Sequence, residues 1–521
     1  MSLSREVAEP AADDATSAVA HLFDPLDESM SAVLHALAVH QRASLTVNGG
    51  PPAVRVVERF RDTALPQHGW ELSRYVDLLR TEVVPGAVAT ASPRCLAHMT
   101  TPVPSAMAAL SSLMVSLNQN LVRVDASASL SLVERQTLGM LHRLVYQRPA
   151  RFYELHTHDS ASTLGVVVSG GTLANVTAIW CARNAALPAH SVRELGLTDA
   201  LDRAGHRGAV VIGPASMHYS FAKAADLVGI GTANLVRVPL DADDRIDVAA
   251  LRRTVRRCRE EGRLVLAVVA VAGTTDAGAV DPLPEVADVA AEARCHFHVD
   301  AAWGGPALMS PRQRRRFAGL SRADTVTLDG HKQFHLPVGA GFLLFRERTL
   351  AAHLEHDAPY TVRRGSGDLG LRSPEGSRPG TALLLHAALH LIGRAGYREL
   401  VDLGERQASY FADRVRRSPR FELLRDPQLN IVVYRYVPKS GRSSEVDALN
   451  VAIHRLQRRA GRALVSRTTI STGPTRQAVA LRAVLANPVT TLADIDAVLA
   501  EQLRLGELVE RGLIDGPHDA D

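Results

Sequence analysis

The stretch LVLAVVAV, residues 264–271, holds eight apolar residues in succession. A strand with one wet face alternates apolar and polar residues, whereas a strand covered on both faces need not. Six runs of similar texture flank it: TLGVVVS (163–169), GAVVIG (208–213), LVRVPL (235–240), HFHVDAA (296–302), TVTLDG (325–330) and GAGFLLF (339–345). Helical stretches separate most of them. Apolar strands alternating with helices predict a mostly parallel sheet with helices on both faces. That makes residues 96–350 a large α/β domain.

Outward from this core the texture changes on both sides. Residues 1–18 read as a flexible tail, and 19–95 as a helical segment interrupted by the loop Asn48-Gly49-Gly50-Pro51-Pro52. Residues 105–122 and 129–146 read as two further helices. Residues 351–521 form a smaller α+β domain. There a loop rich in Gly, Arg and Ser (361–380) precedes an apolar helix and the strand candidates FELLRD, LNIVVYRYV, ALVSRTTI and VALRAVLAN.

Composition excludes several classes of function. With 46% apolar and 22% charged residues over 521 positions, disorder is not the dominant state. The longest apolar run, Leu264 to Ala272, has nine residues, well short of the ~18 of a membrane span. The acidic N-terminus lacks the basic-then-apolar order of a secretory signal. Cys95, Cys181, Cys258 and Cys295 are widely spaced without a CxxC pair, which argues against a disulfide framework or zinc ribbon and fits a reducing cytoplasm. The net charge is +4, and the basic runs 252–263 and 312–317 occur in a chain with 4% aromatic residues. They read as solvated helix faces rather than a nucleic-acid site. Among 59 basic residues only Lys223, Lys332 and Lys439 are lysines, so chemistry that needs an amine has three candidates.

Four motifs carry chemistry. In VVVSGGTLANVTAIWCARN (166–184) a strand ends in Ser169-Gly170-Gly171-Thr172 and a helix follows, a place where backbone N–H groups and helix polarity favour an anion. The same turn could be a tight connection capped by Thr172. In PASMHYSFAKAADLVGIG (214–231), His218 follows a strand and could stack on a flat ring, or it could be a capping or core histidine. In FHVDAAWGGPAL (297–308), Asp300 closes a very apolar strand, where a carboxylate is rarely found without a partner, and Ala301 and Ala302 leave room for something flat. An N-cap aspartate is the plainer reading. In DTVTLDGHKQFHLPVGAGFLLF (324–345), Lys332 stands at a strand end within apolar sequence. An amine there is expected to have a lowered pKa and to form a Schiff base readily, the alternative being a surface loop lysine. Together these pieces describe one ligand with a phosphate, a flat ring, a ring nitrogen that wants a carboxylate and an aldehyde that wants an amine. That ligand is pyridoxal 5′-phosphate.

The ordered set SGGTxAN, HYSxxKAA, AGTTDxGxxDP, HVDAAWGG and DGHKQ resembles the group II pyridoxal-phosphate-dependent amino-acid decarboxylases, and among them bacterial aspartate and glutamate decarboxylase-like members. SPRCLAHMTTPVP (92–104), SLNQN (116–120), ERQTLGMLHRLVY (134–146), RRGSxDLG (363–370) and EGSRPGxALLLHAAL (375–389) extend the resemblance over roughly residues 90–500. It implies the fold-type I (aspartate aminotransferase-like) architecture, a homodimer with active sites at the interface, and decarboxylation of a small acidic amino acid. It makes Lys332 the Schiff-base lysine, with His331 beside it, and Asp300 the partner of the pyridine nitrogen. His218 and Ala302 would cover the two ring faces. Gly170, Gly171 and Thr172 would hold phosphate, with Thr274 close to the ring. Arg378 would grip the substrate α-carboxylate, and Tyr360, with His218 as alternative, would donate the proton. His98 and Thr100, with Asn118 and Asn120, are candidates for the side-chain pocket. No metal site is expected. Asp329 departs from relatives that carry Ser there; because a carboxylate repels phosphate, Asp329 is expected to face elsewhere. Two other outcomes stay open: transamination or decarboxylation coupled to oxidative deamination, and a pyridoxal-phosphate-binding protein without catalysis.

Overall fold

The computed structural model describes residues 31–33, 36, 47 and 54–513, apart from 188, 190, 359–361, 364, 441–442 and 473–475. The expected helix near the N-terminus, the loop 48–52 and Tyr360 lie largely or wholly outside these residues. The described strands are β1 (Cys95–Leu96), β2 (Gly165–Val168), β3 (Gly208–Pro214), β4 (Leu235–Val238), β5 (Arg263–Val271), β6 (His296–Asp300), β7 (Thr325–Asp329), β8 (Gly341–Phe345), β9 (Phe421–Arg425), β10 (Ile431–Tyr436), β11 (Leu464–Ser471) and β12 (Gln477–Val484).

Seven of them form one sheet in the order β2-β8-β7-β6-β5-β3-β4. Each matches one of the seven runs read from the sequence. Neighbours from β7 to β4 pair in parallel, but β8 is antiparallel to both β2 and β7. The cause is the short link between β7 and β8, residues 330–340, which leaves no room for a crossover helix. Because β8 opposes both neighbours, β2 and β7 point the same way. Their carboxyl ends therefore open on the same edge as those of β6, β5 and β3. Ala267, Val268, Val269 and Ala270 of β5 are fully buried, as a strand covered on both faces must be.

The helix Val248–Glu260 explains the first basic run. It buries Ala250, Leu251, Val255 and Cys258 against the sheet and turns its arginines to the surface. Asp247 caps it by accepting the Ala250 N–H at 2.9 Å. In the second run, Arg312 pairs with Glu405, while Arg314 donates to the carbonyls of Leu308 and Leu144 at 2.9 Å each. Both runs are occupied by local structure.

The second sheet has the order β1-β11-β12-β10-β9. Cys95 and Leu96 pair in parallel with Leu464 and Val465, so the segment before residue 100 is stitched to the C-terminal part of the chain. The helix Ala106–Leu117 ends where Asn118 adopts a left-handed conformation (φ 43°), which asparagine tolerates better than most residues.

Candidate active site

The carboxyl ends of β2, β3, β5, β6 and β7 line one cavity of ≈ 530 Å³, a size suited to a cofactor with a small substrate. From the turn after β2 come Ser169, Gly170, Gly171 and Thr172, and after β3 come Ser216, His218 and Tyr219. Gly273 and Thr275 follow β5, Asp300 and Ala302 close β6, and Asp329, His331 and Lys332 close β7. Open α/β sheets bind ligands at this edge.

Lys332 is held through its backbone. The Thr101 hydroxyl donates to the Lys332 carbonyl at 2.6 Å, and the Thr101 N–H reaches the His331 carbonyl at 3.4 Å. Among the described residues the Lys332 amine makes no hydrogen bond or ion pair, so it is available to a ligand. Asp300 is gripped from two sides. Its Oδ1 accepts the Ala302 N–H at 3.0 Å, and its Oδ2 accepts from Asn175 Nδ2 at 2.8 Å. Asn175 Nδ2 also donates to Ser220 Oγ at 3.0 Å, and Ser220 Oγ lies 2.9 Å from His218 Nδ1. Burial holds the His218 imidazole below its ordinary pKa, with Asp300 opposing that shift and Lys332 adding to it.

The turn after β2 is shaped for close approach. A Cβ on Gly171 would sit 2.8 Å from Asp329 Oδ2, and the Gly171 N–H donates to that oxygen at 3.1 Å. Against expectation, Asp329 thus faces the anion-binding turn, because the Gly171 N–H draws its Oδ2 there, while its Oδ1 lies 2.7 Å from His331 Nδ1. Neither Oδ1 nor that nitrogen has a well-aligned hydrogen bond, and the buried Ser216 Oγ at the cavity wall also lacks a partner. A buried hydroxyl without a partner is costly unless a ligand supplies one. The donor set therefore fits pyridoxal phosphate: hydroxyls and backbone N–H groups at one end of the cavity, an unclaimed amine near β7, and a fixed carboxylate at the end of β6.

Several residues expected at the site lie apart from this cavity. Arg378, 8% exposed, forms a two-pronged ion pair with Glu134, Nη1 to Oε2 at 2.6 Å and Nη2 to Oε1. It borders a separate cavity of ≈ 40 Å³. The Thr274 hydroxyl accepts the Ala279 N–H at 3.0 Å and caps its own turn, leaving Thr275 to face the cavity. Thr100 lines a different groove with Val338, and His98 does not line the cofactor cavity. Asn120 organises the loop before Arg378, with Nδ2 donating to Ser377 Oγ at 2.9 Å and Oδ1 accepting the Arg378 N–H at 3.3 Å.

Other residues gain importance from the structure. Thr101 anchors Lys332, one position along from the expected Thr100. Ser216 and Asn175 stand inside motifs already singled out. Arg482 of β12 is 9% exposed. It donates to Thr275 O at 2.6 Å, Ser466 Oγ at 2.8 Å and Ala97 O at 3.2 Å. Among the described residues no carboxylate lies within ion-pair distance of it. Its one sequence signal is a charge at an inward position of an apolar strand.

No group of three His, Cys, Asp or Glu side chains among the described residues could hold a metal ion, and no helix of the described residues is long and apolar enough to cross a membrane. The profile of the pyridoxal-dependent decarboxylase conserved domain matches residues 56–437. The chain is 37% identical to aspartate 1-decarboxylase of Aliivibrio fischeri over 482 residues, covering 89% of this chain and 88% of that one. It is 34% identical to L-2,4-diaminobutyrate decarboxylase of Rhizobium meliloti over 382 residues, 72% of each chain. The crystal structure of mouse CSAD in apo form superposes with a TM-score of 0.81 at 25% identity, covering 92% of this chain and 98% of that one. That of Oryza sativa TDC with PLP and tryptamine gives 0.81 at 23% identity, over 94% and 99%. The cavity, its donor set and these likenesses agree: the chain belongs to the pyridoxal-dependent decarboxylase family and is a pyridoxal-phosphate-dependent amino-acid decarboxylase of the fold-type I architecture.

Proposed function

We propose that this decarboxylase acts on a small acidic L-amino acid, converting aspartate to β-alanine or glutamate to γ-aminobutyrate. The observation that carries the reading is the buried guanidinium of Arg482, which makes no ion pair among the described residues and donates to the carbonyl of Thr275, a residue of the cavity wall. With only the Asp276 carboxylate among the described residues acting on it at longer range, this cation favours an anionic substrate in the cavity beside it. The likeness to an aspartate 1-decarboxylase over most of the chain supports the same choice.

When bound, pyridoxal phosphate supplies a conjugated ring that accepts the electron pair of the bond to the departing carboxylate. In this reading the Lys332 amine holds the cofactor covalently. Asp300, fixed by Asn175 and the Ala302 N–H, keeps a proton on the ring nitrogen. Gly170, Thr172 and Ser216 hold the phosphate, with His331 and Gly171, whose N–H is given to Asp329, beside them. His218 and Ala302 confine the ring. After CO2 leaves, one proton must reach the former α-carbon; the candidate donors are Tyr360 and His218, the latter only from its doubly protonated form, which returns to the neutral ring.

A homodimer belongs to the same proposal. On the helix Ala106–Leu117 only Met107 is buried, and Leu113, Val115 and Leu117 are 48%, 69% and 43% exposed. A second copy of the chain is the occupant proposed for this face. A cytoplasmic setting, without nucleic-acid or membrane partners, agrees with four free cysteines and with basic runs engaged in local contacts. The test of substrate is to incubate the cofactor-loaded protein with aspartate, glutamate, 2,4-diaminobutyrate and aromatic amino acids, measuring CO2 and amine. Release from aspartate or glutamate supports the reading. Release confined to 2,4-diaminobutyrate or an aromatic amino acid overturns it, and transamination without CO2 would assign another outcome.

A further inference from the structure

Behind the cavity a chain of buried side chains runs from β6 to His218, and every proton in it can be placed. Asn175, 1% exposed, faces Asp300 at 2.8 Å and Ser220 at 3.0 Å through Nδ2. The amide orientation follows from Asp300, because the reverse would set a carbonyl oxygen against a carboxylate. Asn175 Oδ1 then faces His298 Nε2 at 3.1 Å, and since it only accepts, that nitrogen carries the proton. Burial pushes the His298 pKa down to about 3, so the ring is neutral and its Nδ1 is bare. The Thr325 hydroxyl, 2.8 Å away, must donate to it, and in turn accepts from His296 Nε2 at 2.7 Å.

The other branch ends on the cavity wall. Ser220 Oγ accepts from Asn175, which leaves its own hydrogen for His218 Nδ1 at 2.9 Å. The Ser220 N–H points at the same nitrogen at 3.3 Å. A nitrogen facing two donors is bare, so the His218 proton sits on Nε2, which has no partner among the described residues. The groups around His218 are Asp300 of β6, Asp329 and Lys332 at the end of β7, Lys223 of the helix Ser220–Leu227 that follows it, and the Tyr219 ring at 4.3 Å.

We propose that Asn175 and Ser220 are positioning residues that lock His218 in one neutral tautomer, with Nδ1 accepting and Nε2 presenting its proton to the reaction cavity. One side chain, Asn175, thereby couples the orientation of Asp300 to the proton of His218, although it stands on the helix that begins at the glycine turn. The proposal rests on the reading of this cavity as the reaction site. A ring fixed this way presents one N–H, at Nε2, as a hydrogen-bond donor to the reacting atoms, so loss of the lock misplaces that donor and slows turnover without loosening substrate.

The test uses the cofactor-loaded full chain labelled with 15N-histidine, with His218→Asn identifying the His218 signals. The unmodified protein is expected to show bare Nδ1 and protonated Nε2 across neutral pH. In Ser220→Ala the proton is expected to spread over both nitrogens and the ring to titrate at higher pH. kcat is expected to fall about tenfold, the equivalent of one hydrogen bond, with KM little changed and the limb of the pH–rate profile that reports His218 moved up. A doubly protonated or Nδ1–H His218 in the unmodified protein overturns the proposal without any variant. So do unaltered ring signals and pH profile in folded Ser220→Ala. Failure of the reading beneath it is seen separately, as an unmodified protein that takes no covalent cofactor or releases no CO2.

Discussion

Glu134 and Arg378 hold each other in a buried two-pronged ion pair, with side chains 1% and 6% exposed, across 244 residues of sequence. A guanidinium neutralised this way is engaged before any substrate arrives. The loop that carries it is fixed by Asn120, so the pair ties the segment after Asn118 to the start of the helix Ala382–Leu391.

Removing one partner should therefore damage stability more than chemistry. Arg378→Ala is expected to cost about 3–5 kcal/mol, because Glu134 is left buried and uncompensated. The double variant Arg378→Met/Glu134→Leu should recover most of that loss. Urea unfolding measures the stability, and turnover per cofactor-loaded site should survive in both. A folded, loaded Arg378→Ala protein with turnover lowered a hundredfold would return this arginine to the substrate.

Arg482 is expected to behave in the opposite way. Arg482→Met removes a buried guanidinium beside the cavity wall that makes no ion pair among the described residues. kcat/KM should drop about 10²-fold, in line with about 2–3 kcal/mol for charge-assisted hydrogen bonds. Cofactor absorbance should be retained, since the residues proposed to hold the cofactor stand elsewhere. Undiminished kcat/KM on aspartate and glutamate would remove Arg482 from the substrate site.

Lys332 should be the residue modified when the loaded protein is reduced with borohydride and mapped by peptide mass. Its amine is unclaimed at the cavity wall, whereas Lys223 lies 4.9 Å from the Tyr219 ring centroid and Lys439 stands in another groove. Lys332→Ala should fold normally and hold no covalent cofactor. Label on Lys223 or Lys439 would contradict the assignment.

The pH dependence of stability has a definite sign. Burial lowers His142 and His296 to about 4 and His298 to about 3, against an ordinary value of 6.5. The unfolded chain therefore takes up protons below pH 6.5 that the native state refuses, so stability falls with pH until the native rings also titrate. Each such histidine contributes a slope of up to about 1.4 kcal/mol per pH unit in that window. Urea midpoints at pH 7 and pH 5 should differ markedly in a low-salt buffer. Equal midpoints would mean that these rings are charged in the native state.

Self-association is expected to depend on the helix Ala106–Leu117. Val115→Glu should shift the light-scattering mass from dimer toward monomer and lower activity with it. A monomeric unmodified protein with full activity would remove the partner from the proposal.

Strand texture alone was enough to locate the seven strands of the large sheet, since a strand covered on both faces announces itself locally. The same logic singled out Lys332, Asp300, His218 and the glycine turn, each within a few residues of a strand end, and the structure brings them to one cavity. What escaped was partnership. Nothing near Arg378 in sequence names Glu134, and nothing near Lys332 names Thr101. Thr274 and Thr275 are adjacent and chemically alike, and only the turn held by the Ala279 N–H decides which one faces the cavity. The antiparallel course of β8 follows from the length of a connection, not from the composition of the strand.

The inserted strand β8 also governs when the cofactor can be captured. It bridges β2 to β7, so the glycine turn and Lys332 become neighbours only once residues 341–345 have joined the sheet. The contacts that finish the cavity close long loops: 125 residues between Asn175 and Asp300, 158 between Gly171 and Asp329, 231 between Thr101 and Lys332. Contacts of such separation form late. A nascent chain still short of β8 has the phosphate turn but no second wall, and so cannot retain the cofactor. Appearance of the bound cofactor's colour during synthesis or refolding should then follow completion of the large sheet, the cofactor sealing a finished fold rather than templating it.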